Sequence, residues 1–299
     1  MTKILITGSN GLLGNQLIND LTNNKKYVVI ALSKNKPNMS VKNVIYETCN
    51  INDSLSLAII FDKYNPDTVI HTAAISSPDL CEDNRNEAWA VNVNATKYIA
   101  ELCFKHKSHL VHLSSDFVFD GFNAPYVETD EPNPLSFYGL SKLESEKVVA
   151  DISDSFTIIR TILVYGIHKS LSRSNILTRT IENLNNNKAI RIVSDQYRAP
   201  TFLNDLSKAC IKAAEIKAKG IYHISGNQMF SVYDFCLKIA DSFNLNKNLI
   251  TKISTIELNE KAHRPYKTSF VLNKAITDLN YSASSIEEGL KFYYNQPLI

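Results

Sequence analysis

The chain has 299 residues, 44% of them hydrophobic and 21% charged, with a formal net charge of +2. That length can bury a sizeable core, in one large domain or two smaller ones. A near-neutral balance without basic runs argues against a nucleic-acid partner.

No apolar stretch approaches the ~20 residues of a membrane helix. The opening MTKILITGSNGLLG has neither an apolar signal core nor a small-residue cleavage site, so a cytoplasmic location is expected. The five cysteines are odd in number and contain no C-x-x-C, so neither a disulfide framework nor a metal site is expected. Buried thiols are the expected state.

The first half alternates strand-like and helix-like segments. Residues 3–7 (KILIT) read as a strand, and 11–23 as a helix with Leu12, Leu13, Leu17, Ile18 and Leu21 on one face. Strands follow at 27–32 and, more weakly, at VKNVIYE. A helix at 53–64 is opened by Asp53 as N-cap. A strand at 67–74, a long helix at 86–106 and a strand at 109–115 come next. Residues 136–150 read as a helix and 156–165 as a strand. This rhythm predicts right-handed crossovers and a doubly wound parallel (Rossmann) sheet over 1–165.

Beyond Tyr165 the rhythm loosens. Helices are expected at RSNILTRTIENLNN, FLNDLSKACIKAAEIKA, 231–243 and 285–293, with strands at AIRIV and GIYHIS. Residues 166–299 therefore read as a smaller α/β portion, partly interleaved with the first sheet. Pro125, Pro132 and Pro134 mark 120–135 as an irregular loop.

Only nine glycines occur, and three of them, Gly8, Gly11 and Gly14, fall between the first strand and the first helix. In that position Gly8 permits a tight turn, Gly11 lets a pyrophosphate approach the backbone, and Gly14 lets the helix pack on the strand. Free amides and the helix dipole would then hold phosphates, with Asn10 and Leu12 in the same turn. The end of the second strand selects the cofactor. An acidic residue there would hold a ribose 2′-hydroxyl, but this chain has Ser33 and Lys34. A hydroxyl and a cation suit a 2′-phosphate, so NADPH is expected, with NADH as the alternative.

Tyr138 and Lys142 lie four apart, on one face of the expected helix. An ammonium beside a phenol favours phenolate, so such a tyrosine can pass a proton to a carbonyl oxygen as hydride reaches carbon. Lys142 would also hold the nicotinamide ribose. Ser114 and Ser115 end the fifth strand, where ligands of such sheets bind, so Ser115 can reach the substrate carbonyl. A second Y-x-x-x-K, Tyr165 and Lys169, ends a strand with no helix to align it. His109 and His112 face opposite sides of a strand. His71 reads as a strand residue, Trp89 as packing, and Glu144, Glu146 and Lys147 as a solvated helix face.

The spacing G-x-x-G-x-x-G in TGSNGLLG resembles the short-chain dehydrogenase/reductases. With HTAA, SSDFVFDGFNAPYVETDEPNPLSFYGLSKLESEK, IIRTILVYG, SDQYRAPT and HRPY, the whole chain resembles the extended members of that group, and among them the dTDP-4-dehydrorhamnose reductase family. The resemblance implies Ser115, Tyr138 and Lys142 as catalytic triad. Ala73, Ala74 and Ile75 would line the cofactor, and Asn50 and Ile51 would flank adenine. On the substrate side it implies Asp195, Gln196 and Pro200, with Arg264 at the diphosphate. Asp79 and Leu163 occupy substrate-facing positions. There the chain departs from relatives, which often carry Trp at Leu163 and V-D-K-A-E at Pro78–Glu82. Asp116 belongs to the substrate side, and Phe117, Phe119 and Tyr126 are expected around the pocket.

The implied activity is NADPH-dependent reduction of a nucleotide-linked 4-keto sugar. Alternatives are another sugar-nucleotide epimerase or dehydratase, or a non-catalytic subunit like the methionine adenosyltransferase beta subunit, which the middle stretch is similar to. The expected partners are a nucleotide sugar and, as the assembly, a homodimer.

Overall fold

The computed structural model describes residues 1–37, 40–168 and 174–294. The first part runs β1 (Thr2–Thr7), α1 (Leu12–Thr22), β2 (Tyr27–Ser33), β3 (Val44–Thr48), α2 (Ser54–Tyr64), β4 (Thr68–His71), α3 (Pro78–Asp83), α4 (Arg85–Trp89), α5 (Ala95–His106), β5 (His109–Ser115), α6 (Phe137–Ile152) and β6 (Phe156–Thr161). It continues through β7 (Val164–Tyr165), α7 (Ile176–Asn185), β8 (Ile190–Val193), β9 (Tyr197–Arg198), β10 (Thr201–Phe202), α8 (Leu203–Ile216), β11 (Gly220–Ile224), β12 (Phe230–Ser231) and α9 (Val232–Ser242). The last elements are β13 (Ile250–Ile253), α10 (Thr255–Leu258), β14 (Lys267–Thr268), α11 (Asn273–Leu279) and α12 (Ile286–Tyr294).

Seven strands form one parallel sheet in the order β11-β6-β5-β4-β1-β2-β3. The central strands are apolar runs because helices cover both faces. On one side Ile4, Ile6 and Ile70 pack with Leu17 and Leu21 of α1 and Leu206 and Ala213 of α8. On the other, Leu5, Ile30 and Val69 pack with Leu57 and Phe61 of α2 and Ile99 of α5. The order reverses at β1, which lies between β4 and β2. Sheets of this kind bind ligands beyond the carboxyl ends of the strands at that reversal. The expected doubly wound sheet is therefore present.

Local differences from the sequence reading have physical causes. The helix expected at 86–106 is interrupted by a π-helical turn at Ala90–Asn94, and α3 precedes it. The fourth strand ends at His71, where the chain turns into the cleft. The strand expected at 156–165 breaks because Leu163 adopts a left-handed φ of 36°, which ends pairing with β5. GIYHIS forms β11, which pairs with β6 at the edge of the main sheet. Beyond the main sheet, β10-β7 and Phe230 of the three-stranded β12-β9-β14 pack in a second core around Tyr165, Phe235 and Tyr293, while β13-β8 packs on Cys236 and Ala240 of α9.

All five cysteines are buried. Among the described residues no helix is long and apolar enough to cross a membrane, and no cluster of side chains could hold a metal ion.

Candidate active site

The ends of β1, β2, β4, β5 and β6 open onto one cleft of about 930 Å³. Gly8, Asn10, Gly11, Leu12, Ser33, Lys34, Asn50, Ile51, Ala73, Ala74 and Ile75 line one part of it. Ser114, Ser115, Asp116, Phe117, Tyr138, Lys142, Leu163 and Arg264 line the other.

The glycine turn is fixed by contact as well as by conformation. Gly8 has a φ of +68°, and a β-carbon there would lie 2.7 Å from the Ala73 nitrogen. Gly14 does not line the cleft. A β-carbon on it would sit 2.3 Å from the Gly8 carbonyl oxygen, so it allows α1 to pack beneath the turn. No side chain caps α1, and its first turn carries no acid. Those amides and the dipole suit a phosphate group. Asn10 donates to the backbone oxygens of Asn35 and Lys36 at 3.0 and 3.2 Å, and the Ser33 hydroxyl to Asn35 O at 2.6 Å. These bonds hold the segment after β2, with Lys34 exposed at the rim, against the turn. The cradle fits a dinucleotide.

Ser136 caps α6 by accepting from the Gly139 amide, so Tyr138 opens the helix at the cleft. Tyr138 packs edge-on against Phe117, with ring centroids 5.4 Å apart. Lys142 is buried one turn below, its Nζ 3.4 Å from His112 Nε2. Burial pulls the Lys142 ammonium down to about 8, opposed chiefly by Glu146. The Ser115 hydroxyl lies 3.1 Å from Asp116 Oδ1 and accepts from the Phe117 amide at 3.2 Å. Asp116 is buried and accepts from Thr268 at 2.5 Å; burial raises its pKa above the ordinary carboxylate value.

Arg264 reaches the cleft already engaged: Nη2 is 2.8 Å from Asp79 Oδ2 and 3.0 Å from Glu260 Oε1. Partial burial raises the Asp79 pKa, but the Arg264 bond and backbone amides outweigh it and hold the value below normal.

Several expectations need correction. Asp195, Gln196 and Pro200 do not line the cleft. Asp195 accepts from the Thr255 amide and hydroxyl, and so anchors α10. Gln196 is buried between Thr255 and Arg198, and Pro200 is packed against Gly226. Phe119 and Tyr126 also lie in the core, stacked at 4.0 Å, because the aromatics of this loop pack together under it. Asp79 acts on the cleft through Arg264 rather than lining it. Glu146 is buried, not solvated. Tyr165 is buried in the second core, away from the cleft, and Lys169 lies outside the described residues.

Sequence reasoning missed Asn92. The π turn aims its amide so that it pairs with the Ile75 amide and carbonyl and donates to Ser141 of α6. The cofactor loop after β4 is thereby tied to the helix that carries Tyr138. A one-residue widening of a helix leaves no compositional signal. Glu146 did carry one: its i+4 spacing from Lys142 puts it on the same buried face.

The RmlD substrate binding domain model matches residues 1–298. dTDP-4-dehydrorhamnose reductase from Aggregatibacter actinomycetemcomitans is 31% identical, over 97% of this chain and 98% of that protein. The chain belongs to the dTDP-4-dehydrorhamnose reductase family. A solved member of the family, the Bacillus anthracis reductase in complex with NADP, superposes with a TM-score of 0.88 at 27% identity, covering 98% of this chain and 99% of that one. Methionine adenosyltransferase 2 subunit beta from Xenopus tropicalis is also 31% identical, over 84% of this chain and 75% of that protein. The family fold thus occurs in proteins with different names and roles.

Proposed function

We propose that the chain reduces a nucleotide-linked 4-keto sugar with NADPH, NADH being the weaker alternative. The observation that carries this reading is the single cleft running from the glycine turn to Tyr138, Lys142 and Ser115, and on past Leu163 to Arg264. Apolar walls with a few placed polar groups are what a small-ligand site needs. Residues 1–165 supply most of the cofactor side, and 166–299 contribute Arg264 to the substrate side.

Bound cofactor supplies the hydride. Tyr138 gives a proton to the carbonyl oxygen, Ser115 donates a hydrogen bond to that oxygen, and the Lys142 ammonium lowers the cost of the phenolate left behind. Lys142 also holds the nicotinamide ribose. The turn of Gly8, Asn10, Gly11 and Leu12 would hold the pyrophosphate, Asn50 and Ile51 would flank adenine, and Lys34, on the segment that Ser33 fixes, would meet the 2′-phosphate. Arg264 takes the substrate diphosphate. The enzyme is cytoplasmic, and a homodimer is the assembly to test.

NADPH absorbance should fall when dTDP- or UDP-linked 4-keto sugars are added. Tyr138→Phe should keep cofactor affinity and lose about 10²–10⁴ in kcat, the range for a lost general acid. Full activity in that variant would sink the assignment.

A second reading has one observation in its favour, the similarity to the methionine adenosyltransferase subunit beta. A role as a regulatory subunit does not require the open space beside Tyr138. Absence of turnover with every nucleotide sugar, together with tight NADPH binding, would favour it.

A further inference from the structure

Leu163 follows β6 and lines the cleft together with Ser115, Tyr138 and Arg264. Its φ is +36°. That region suits glycine and, less well, asparagine, and a bulky apolar residue has no local reason to enter it. Among the described residues the other non-glycine positions with positive φ are all asparagine or lysine. Most of them close helices, as Asn65, Lys107, Lys217, Asn259 and Asn280 do. Leu163 closes none. Such a conformation persists only where the surroundings impose it.

Thr201 of β10 is fully buried and grips the chain at this point. Its amide donates to Ile162 O at 3.0 Å and to Leu163 O at 3.3 Å. Its hydroxyl donates to Ile162 O at 2.6 Å. The hydroxyl oxygen in turn accepts from the Ile162 amide at 3.3 Å and from the Thr161 hydroxyl at 3.1 Å. One threonine thus binds three consecutive residues, Thr161, Ile162 and Leu163. Just beyond the turn, Thr201 pairs with Val164 as β10 joins β7. The Leu163 side chain lies where two apolar clusters meet, one around Tyr165 and Phe235 and one around Phe119 and Phe270. Its remaining surface faces the cleft.

We propose that Thr201 is a positioning residue for the substrate end of the cleft: its amide and hydroxyl hold the left-handed turn, and the turn fixes the Leu163 side chain as an apolar wall against which the sugar ring is placed. The proposal rests on the reading of this end as a nucleotide-sugar site. A sugar ring presents C–H groups as well as hydroxyls, and an apolar wall orients it only if the wall itself is fixed.

Two measurements test this, and neither needs turnover. The first is thermal. At ordinary positions alanine is the more stabilising residue, whereas at a positive φ glycine is. Leu163→Gly should therefore melt about 2–4 °C above Leu163→Ala. The reverse order overturns the proposal, because the turn would then not be held against the preference of its residue.

The second is calorimetric titration of the NADP⁺ complex, which has no hydride to give, with a dTDP-linked 4-keto-6-deoxyhexose. Thr201→Val should weaken sugar binding by about three- to tenfold and leave cofactor binding unchanged. Thr201→Ser, which keeps the hydroxyl, should restore sugar affinity. In a Leu163→Gly background Thr201→Val should cost no further affinity, since no side chain is left to place. A folded Thr201→Val with wild-type sugar affinity, or an equal loss with and without the Leu163 side chain, overturns the proposal. If Thr201→Val does not fold, Leu163→Gly and Leu163→Ala decide: both should lose about tenfold in sugar affinity with cofactor affinity kept, and unchanged sugar affinity in them overturns it. Sugar binding that follows this pattern without any turnover would sink the reductase reading alone.

Discussion

Asp79 Oδ2 lies 2.8 Å from Arg264 Nη2, and this pair ties α3 to the segment before β14 across the mouth of the cleft. Glu260 Oε1 holds the same nitrogen at 3.0 Å. On the proposed reading, a substrate diphosphate would compete with two carboxylates for one cation.

That competition sets opposite signs for two substitutions. Arg264→Met should raise KM for a nucleotide sugar by about ten- to a hundredfold, the equivalent of a lost charge-assisted bond. Asp79→Asn should lower KM by a few-fold. NADPH affinity should change in neither. Steady-state kinetics with both substrates varied would check this, and a parallel rise in both KM values would count against it.

Lys34 tests cofactor choice. It is exposed at the rim beyond β2, where Asn10 and Ser33 hold the neighbouring backbone. Lys34→Ala should weaken NADPH binding by up to about tenfold and leave NADH binding nearly unchanged, because a solvent-screened contact contributes little. Fluorescence titration with both cofactors reads the difference directly. Equal losses would remove the lysine from the 2′-phosphate.

Acid should unfold the protein early. Burial lowers His71 to about 3, His109 to about 4 and His223 to about 3, and holds His112 well below 6.5. Each binds a proton in the unfolded chain but not in the folded one once pH falls below about 6.5. Stability present above that value is then lost at about 1.4 kcal/mol per pH unit per group until the folded value is reached. Raised values at Asp20, Asp116 and Glu260 work in the other direction, stabilising the fold as pH falls toward the usual carboxylate range. Four histidines outweigh them between pH 6 and 5, so the melting temperature should drop across that interval. A flat Tm there would show that the buried rings find protons or water in the fold.

The legible parts of the chain were those where composition and position coincide. Gly8 and Gly11 stood out because glycine is scarce and they fall between a strand and a helix. Ser115 and the Tyr138/Lys142 pair followed from a strand end and a helical spacing. Glu146 looks solvated beside Glu144 and Lys147, although its i+4 spacing from Lys142 puts it on the buried face; its partner there, Arg160 on β6, is far away in sequence. Phe119 and Tyr126 sit near the cleft in sequence, yet stacking on each other and on Phe270 draws them into the core. Asp195, Gln196 and Pro200 lie behind the site because Asp195 and Gln196 are spent on Thr255 and Arg198.

β11 is made more than fifty residues after the β6 strand it pairs with, and α8, which covers α1, is also made late. A nascent chain that has emerged only as far as Tyr165 has an open strand edge and an uncovered apolar helix face. The cofactor cradle is thus encoded first but closed last. Until residues near 224 have emerged, the dinucleotide half presents that strand edge and that helix face to solvent.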